Sequence, residues 1–274
     1  MKTVCVITGG GSGMGLATAK MLGNEHYIII AGRNLNKLEK AIEELRDVKI
    51  EAEYFVCDIS NRASVDALAN RAKEIGVIHS VIHAAGMSPS MGEAQVIIDA
   101  NALGTININE AFFEVMESGS CLIDVSSMSG YLVPGFLMPN RIYKYSLTNK
   151  DLFIRKMMTR VNLFPKRLRS AMAYAFSKNF VIWYAKTDTV KFGEKGIRIL
   201  SISPGSFETP MGELEEDSME KYTRQSAIKR QGRVEEIANL FAFCISSKAS
   251  YLTGIDILCD GGCIASGASP FFKN

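Results

Sequence analysis

The alternation of short β-rich runs with amphipathic helical stretches is the feature that most constrains how this chain can fold. Leu35, Leu38, Ile42 and Leu45 fall on one face of a helix between the second and third of these runs. Strands that are apolar on both faces and alternate with helices indicate a parallel sheet covered on each side. The sequence therefore predicts an α/β chain with a doubly wound, parallel, seven-stranded sheet (a Rossmann fold) in three αβα layers. The predicted strands lie in "TVCVITG", "YIIIAG", "EAEYFVCDI", "SVIHAAG", "CLIDVSS", "IRILSISPG" and "IDILCDGG".

One domain over residues 1–274 is predicted, because no repeat or linker divides the chain and 47% apolar residues are enough for one core. A helical insertion, residues 134–170, interrupts the alternation with the stretch "NKDLFIRKMMTRV", in which Phe153, Met157 and Val161 share one face. Two interpretations of the insertion stay open. It is a solvated helical face with an apolar underside, or it is a lid or docking surface for something anionic.

Charge and cysteine usage exclude several classes of function. The net charge of +2 is small, although residues 141–169 hold nine lysines or arginines against one acid. We therefore predict no nucleic-acid partner and no membrane association. Six cysteines scattered through apolar runs suggest reduced thiols in a cytoplasmic protein, and no signal peptide is visible. Cys259 and Cys263 lack further ligands nearby in the sequence, so no metal site is predicted.

A glycine-rich turn follows the first predicted strand and opens a predicted helix, in "VCVITGGGSGMGLATAK". Gly9, Gly11, Gly13 and Gly15 are expected to permit positive φ and a close approach of the backbone to a ligand. The N-terminus of the following helix offers unsatisfied N–H groups to a phosphate. A dinucleotide is therefore the predicted ligand.

The end of the second strand discriminates between the two nicotinamide dinucleotides. A carboxylate that would bind a ribose 2′-hydroxyl is absent there, and Arg33 follows Gly32 instead. A guanidinium can clamp a 2′-phosphate, so NADP(H) is favoured and NAD(H) is the alternative. Asp58, after the third strand, is placed to hold the adenine amino group, while helix capping by Asp58 or Ser60 explains the same residues.

Tyr174 and Lys178 stand four residues apart in "YAFSK", which places both side chains on one helix face. With this pair, the chain resembles the short-chain dehydrogenase/reductase family, and more closely its bacterial 3α-hydroxysteroid dehydrogenase/carbonyl reductase subgroup. The motifs run in family order from Thr8 to Gly262. They are "TGGGSGMG", "CDI", "HAAG" in place of Asn-Asn-Ala-Gly, "NALG", "IDVSSMSG", "YAFSK", "SPGSFETPM" and "LTGIDILCDGG".

The resemblance implies a catalytic group. Tyr174 would be the general acid or base, and Lys178 would lower the pKa of its phenol and hold the nicotinamide ribose. Ser127 would hydrogen-bond the substrate oxygen, with Ser126 as the alternative. Asn101 would hold a water that links Lys178 to solvent, or would tie backbone together inside its helix.

The resemblance also implies a set of cofactor contacts around the turn and the nicotinamide. Pro204, Gly205, Phe207 and Thr209 represent the nicotinamide loop, in which Gly205 permits the sharp turn and the Phe207 backbone binds the carboxamide. The remaining predicted cofactor contacts are Gly9, Gly11, Ser12, Gly13, Met14, Gly15, Arg33, Asn34, Asp58, Ile59, Ala84, Gly86, Tyr174 and Lys178.

Two features depart from the family pattern. His83 and Ala84 stand where asparagines are usual; we interpret His83 as a packing change rather than a new base, and Ala84 keeps backbone contacts to the adenosine side. The 47 positions between Ser127 and Tyr174 are more than the family commonly has. A homo-oligomer, dimer or tetramer, is predicted, and the insertion suggests an assembly that differs from the usual tetramer.

Apolar residues near the expected site suggest a bulky hydrophobic small-molecule substrate, such as a hydroxysteroid or bile acid. A segment expected to be mobile, residues 212–222, follows them. The alternatives are a 3-oxoacyl-(acyl carrier protein) reductase, whose acidic partner would dock on the insertion, and a non-catalytic NADP(H) sensor or scaffold. The predicted substrate contacts are Met87, Ser127, Tyr131, Tyr174, Phe207 and Met211, with Leu132, Val133, Phe136, Leu137 and Met138 nearby.

Overall fold

The computed structural model describes residues 3–269, and positions 1–2 and 270–274, at the two ends of the predicted domain, lie outside the described residues. Within the described part, seven strands form one sheet in the order β3-β2-β1-β4-β5-β6-β7. Every neighbouring pair is parallel, which confirms the predicted doubly wound sheet. The strands are β1 Thr3–Thr8, β2 His26–Gly32, β3 Ala52–Val56, β4 Ile78–His83, β5 Cys121–Val125, β6 Arg198–Pro204 and β7 Asp256–Cys259.

Helices cover both faces of the sheet. The second of them begins where the Asn34 side chain accepts a hydrogen bond from the backbone N–H of Lys37. Its predicted stripe packs through Leu38 and Leu45, whereas Leu35 in the first turn is 43% exposed. The α-helices of residues 3–269 are α1 Gly13–Leu22, α2 Leu35–Asp47, α3 Arg62–Ile75, α4 Ala94–Ile98, α5 Gly104–Val115, α6 Ser129–Leu132, α7 Asn140–Tyr143, α8 Lys150–Asn162, α9 Arg169–Glu194, α10 Pro210–Glu213, α11 Glu216–Gln225 and α12 Val234–Ile245.

Each face of the sheet has its own apolar core. Ile28 and Ile30 of β2 belong to the core built with α1, α2 and α12, and Ile29 between them belongs to the core built with α3, α5 and α9. This alternation follows from the two-residue repeat of side chains along a strand. Strands buried on both sides therefore account for the continuous apolar runs in the sequence.

The insertion forms a third core against the outer side of α9. Phe153, Met157 and Val161 of α8 are fully buried, in one cluster with Phe176 and Phe180 of α9. The predicted helix and its apolar underside are confirmed. The insertion is thus packed onto the helix that carries the tyrosine and lysine pair.

The order of the strands reverses between β1 and β4, which lie side by side at the centre of the sheet. Chain connections leave this point in opposite directions, so a crevice opens beyond the carboxyl ends of the two strands. The glycine turn after β1, the loop after β4 and the serines after β5 all begin there.

Candidate active site

Tyr174, Lys178 and Ser127 meet at the carboxyl end of β5. The two α9 residues are one helical turn apart, with Lys178 Nζ 5.9 Å from the centre of the Tyr174 ring. Gly130 allows the loop after β5 to approach α9 closely, because a Cβ there would lie 3.0 Å from the backbone N of Asn179. The three predicted catalytic residues are therefore brought together.

The two serines after β5 have different partners. The Ser126 hydroxyl donates to the backbone carbonyl of Lys178 at 2.6 Å, which ties β5 to α9. Ser127 Oγ accepts a hydrogen bond from the backbone N–H of Ser129 at 3.1 Å. Burial raises the pKa of the Tyr174 phenol, and a hydrogen bond with Ser127 opposes this shift to a smaller extent. Since Ser127 already accepts a hydrogen bond, its own O–H is available to donate. The geometry favours Ser127 over Ser126 as the group that faces a substrate.

Lys178 is buried beneath this group. Its ammonium donates to the carbonyl of Val125 at 2.9 Å. Burial lowers the pKa of Lys178 to about 8, and the charge of Asp124 opposes that shift. Burial likewise raises the pKa of the Asp124 carboxyl to about 8, while a hydrogen bond of 2.9 Å from Asn109 lowers it.

Asn101 lies in a π-helical turn, Asp99–Leu103, between α4 and α5. Its side chain accepts from the N–H of Met87 at 2.8 Å and donates to the Met87 carbonyl at 3.0 Å and to Ser177 Oγ at 3.2 Å. A Cβ on Gly86 would lie 3.0 Å from Asn101 Oδ1 and 3.2 Å from Lys178 Nζ. Asn101 thus joins the loop after β4 to α9, so the alternative of a tie inside its own helix is wrong, and the water relay stays a prediction.

His83 is not placed for catalysis. The ring is buried at the end of β4, where Nδ1 and the Thr8 hydroxyl share a hydrogen bond of 2.8 Å. Burial, with a smaller contribution from the charge of Lys178, lowers the pKa of His83 to about 3, so the ring is neutral near pH 7. This agrees with the interpretation of His83 as a packing residue.

The glycine turn forms one side of a cleft at the carboxyl ends of β1 and β4, where the strand order reverses. The glycines of the turn serve different purposes. Gly9 and Gly13 have φ values of 73° and 53°. A Cβ on Gly15 would lie 2.4 Å from the Gly9 carbonyl oxygen, whereas one on Gly11 would make only ordinary contacts at 3.5 Å. The expectation of positive φ is therefore wrong for Gly11 and Gly15. Sequence reasoning also missed Gly10, where a Cβ would lie 2.6 Å from the Ile30 side chain.

The far end of the cleft carries two exposed cations. Arg33 follows β2, and Lys37 lies in the first turn of α2; both side chains line the cleft. Sequence reasoning missed Lys37, although Lys37 lies only four residues after Arg33. Asp58 accepts from the backbone N–H and hydroxyl of Ser60 at 3.0 and 2.7 Å. The cap of α3 is Asn61, so the alternative of capping by Asp58 or Ser60 is wrong. The predicted cofactor residues that line this cleft are Gly9, Gly11, Ser12, Gly13, Met14, Gly15, Arg33, Asn34, Asp58, Ile59, Ala84, Gly86 and Thr209.

The loop after β6 separates this cleft from a second space. Gly205 packs so closely that a Cβ would lie 2.6 Å from Asp260 Cα. Phe207 is buried, with its ring against Gly232, and Thr209 caps α10 by accepting from the N–H of Gly212 at 3.0 Å. Thr209 lines both spaces, as do Met14 and Met211. The cleft and the second space are therefore adjacent, with these three residues in the walls of both.

The second space is a largely apolar cavity of about 430 Å³ at Tyr174. Two predicted substrate contacts lie elsewhere: Met87 lines the dinucleotide cleft, and the Tyr131 hydroxyl donates to Asp256 at 2.6 Å. Phe136 is 84% exposed. The segment predicted to be mobile holds helix α11, which forms a wall that sequence reasoning missed. The cavity lining includes Ser127, Leu132, Val133, Leu168, Met172, Tyr174, Phe207, Met211, Glu215, Ser218, Met219 and Tyr222.

Two protein-family models match most of the chain. The family model described as short chain dehydrogenase matches residues 3–140, and the model described as enoyl-(acyl carrier protein) reductase matches residues 165–263. The fold and these matches define an oxidoreductase with a doubly wound sheet. The chain belongs to the short-chain dehydrogenase/reductase family, whose members act on CH–OH groups. Residues 141–164, which neither match includes, lie in the insertion.

Individual relatives span nearly the whole chain. A 3-oxoacyl-(acyl-carrier-protein) reductase, FabG of Thermotoga maritima, is 26% identical over 274 residues, covering 95% of this chain and 97% of the relative. A 3alpha-hydroxysteroid dehydrogenase of Mediterraneibacter gnavus is 26% identical over 274 residues, covering 94% and 95%. The structure of a variant of actinorhodin polyketide ketoreductase with NADPH has a TM-score of 0.76 at 20% identity, covering 96% and 97%.

Two further findings concern the described part alone. No helix within residues 3–269 has both the length and the apolar character that a membrane span requires. The same residues contain no group of three or more His, Cys, Asp or Glu side chains placed to hold a metal ion.

Proposed function

We propose that this protein uses NADP(H) to interconvert a secondary alcohol and a ketone on a bulky apolar substrate of the hydroxysteroid class. The observation that carries the proposal is that the two spaces are adjacent. Tyr174 and Ser127 line an apolar cavity, and Met14, Thr209 and Met211 line both that cavity and the glycine cleft. The relative from Mediterraneibacter gnavus, described as a 3alpha-hydroxysteroid dehydrogenase, supports the substrate class.

The residues of the cleft fit a dinucleotide phosphate. A Cβ on Gly9 or Gly15 would clash with neighbouring backbone atoms. These two glycines therefore keep the turn tight, and the side of the turn that lines the cleft stays open to a ligand. Ser12, at the N-cap of α1, makes no capping hydrogen bond through its side chain. Arg33 and Lys37 offer two cations where a 2′-phosphate would lie. When bound, NADPH supplies the hydride to the carbonyl carbon.

The protein side chains supply the proton and the orientation. Tyr174 donates its proton to the carbonyl oxygen as negative charge develops there, and accepts it back in the oxidation of the alcohol. Ser127 donates a hydrogen bond to the same oxygen. The Lys178 ammonium lies 5.9 Å from the phenol ring and stabilises the phenolate. Asn101, through Ser177 and Met87, keeps the loop after β4 against α9.

A panel of hydroxysteroids and bile acids tests the proposal directly. Reduction of NADP⁺ is followed by nicotinamide absorbance, with NAD⁺ in parallel. Steroid-dependent reduction of NADP⁺ is the expected result. Turnover of small polar ketones with no activity on any steroid would contradict the substrate class and leave the reaction class standing.

Replacement of Arg33 by alanine is expected to reduce kcat/KM for NADP(H) by about tenfold to a hundredfold, because hydrogen bonds to a charged phosphate are lost. The value for NAD(H) is expected to change little. Initial rates with both cofactors measure the effect. Lys40→Ala, a change of an α2 cation that does not line the cleft, is the control. Equal losses with both cofactors would show that Arg33 does not recognise the 2′-phosphate.

A second candidate is the reduction of a 3-oxoacyl group on a carrier protein. It is favoured by exposed cations beside the cavity, since Lys166 and Arg167 directly precede Leu168 in its wall. The FabG relative supports the same reading.

Changing Lys166 and Arg167 together to alanine tests carrier docking. If an acidic carrier binds there, turnover of carrier-bound substrate is expected to fall by about tenfold, through lost charge complementarity, while turnover of free substrates stays unchanged. Arg155→Ala, an exposed cation on α8, is the control. Equal turnover of carrier-bound substrate by the double variant and the unaltered protein would exclude docking at this position.

We also infer that the predicted homo-oligomer is not built through the part of α9 that α8 covers, because Phe176 and Phe180 there pack with Phe153 inside the chain. Light scattering coupled to size-exclusion chromatography gives the oligomeric state, and cross-linking identifies the faces in contact. Cross-links between two subunits through the covered part of α9, around Phe176 and Phe180, would contradict the inference.

A further inference from the structure

The wall of the apolar cavity contains a carboxylate, that of Glu215. Glu215 directly precedes α11, and its Oε1 accepts a hydrogen bond of 2.8 Å from the backbone N–H of Ser90. Ser90 lies in the loop after β4, so this bond connects two elements that are distant in sequence. The side chain is half-buried and lines the same cavity as Tyr174.

Glu215 is the only charged side chain among the described residues that line this cavity. The other lining side chains are aliphatic, aromatic, thioether or hydroxyl groups. The charge of Glu215 also reaches the reacting group, because it raises the pKa of the Tyr174 phenol in addition to the larger effect of burial. A substrate bound at Tyr174 therefore lies within the field of this carboxylate.

We propose that Glu215 determines which substrates the cavity accepts, an inference that rests on the proposed function. One oxygen is held by the Ser90 N–H, and the other has no hydrogen-bond partner within residues 3–269. An ionised carboxylate only accepts hydrogen bonds, so its second oxygen recognises a hydroxyl or amine on the part of the substrate remote from the carbonyl. The preferred substrate is then a neutral or cationic ketone with such a donor.

The same carboxylate excludes anions. No lysine or arginine within residues 3–269 lines the cavity, so a second carboxylate placed there would be unpaired and repelled. Between the substrates considered above, this favours a neutral hydroxysteroid over a bile acid that places its carboxylate inside the cavity.

Three ketones that share one ring skeleton test the inference, with a hydroxyl, a methyl or a carboxylate at the position remote from the carbonyl. The unaltered protein is expected to prefer the hydroxyl ketone over the carboxylate by about a hundredfold in kcat/KM, as like-charge repulsion predicts. Glu215→Gln keeps an oxygen for the Ser90 N–H and removes the charge. It is expected to improve the carboxylate ketone by about tenfold and to weaken the hydroxyl ketone severalfold.

Glu216→Gln is the matched control, since it removes the same charge from the next residue, which does not line the cavity. Competitive inhibition constants of analogues in which a CH₂ group replaces the ketone, with the same three substituents, report binding without carbonyl reduction. Parallel changes in these constants support recognition by Glu215. A Glu215→Gln variant that matches the unaltered protein on all three ketones, or loses all three equally, overturns the inference while the proposed function stands. Absence of turnover of any ketone by the unaltered protein defeats the proposed function instead.

Discussion

The Tyr174→Phe variant is expected to lose turnover by about 10²–10⁴-fold, the usual contribution of a positioned general acid. Ser127 and Lys178 converge on this phenol, and burial raises its pKa, so it stays protonated near pH 7 and can donate. Phenylalanine preserves the ring and its packing. The loss is therefore expected in kcat, with cofactor affinity nearly unchanged in equilibrium titrations.

Tyr184→Phe is a matched control, because it removes a buried phenol from the same helix outside the cavity. Its turnover is expected to equal that of the unaltered protein. If Tyr174→Phe kept full turnover, another group would have to donate the proton. If the unaltered protein bound NADP(H) but turned over no substrate, and Tyr174→Phe changed nothing, the alternative of a non-catalytic sensor or scaffold would be favoured.

The fold was predictable because its signals are local and repeated. Each buried strand is an apolar run such as Ile28 to Ile30, and each covering helix has a stripe such as Leu38 and Leu45. The insertion was predictable for the same reason, since Phe153, Met157 and Val161 recur at one helical turn and are fully buried. Periodicity of this kind depends only on which side of an element faces the core.

The family motif favoured Ser127 over Ser126, but the physical reason needed the structure. Only the approach of α9 shows that Ser126 is engaged with the Lys178 carbonyl. The same holds for Asn101, whose partners Met87 and Ser177 are 14 and 76 residues away in the chain.

The substrate cavity was the least predictable part. Apolar character identified Leu132 and Val133 but also selected Tyr131, which turns outward to Asp256. Helix α11 has a mostly polar sequence in which Met219 and Tyr222, three residues apart, mark one apolar face, but the sequence does not indicate which part of the molecule that face contacts. The position at which this helix docks determines the wall of the cavity. Because that wall is built from segments that are remote in the chain, no local sequence pattern predicts it.

The Lys178→Met variant is expected to lose about 10²-fold or more in kcat, comparable to the removal of a group that stabilises developing charge. Methionine keeps the apolar stem but removes the ammonium, so the phenolate formed after proton transfer loses its nearby positive charge. Lys186→Met, an exposed lysine of the same helix, is the control and is expected to retain full activity. Full activity of Lys178→Met would contradict the role proposed for the ammonium.

The pH dependence separates this charge from the proton donor. Lys178 is charged below its pKa of about 8, so carbonyl reduction is expected to fall as pH rises through about 8. The pKa of Tyr174 is raised above its ordinary value, so loss of its proton comes at higher pH. Lys178→Met should lack the limb near pH 8. The Asp124 carboxyl titrates in the same range, with a pKa of about 8, and its ionised form favours the ammonium. Asp124→Asn should therefore move the limb to lower pH. A limb that moves upward, or one that persists in Lys178→Met, would assign it to another group.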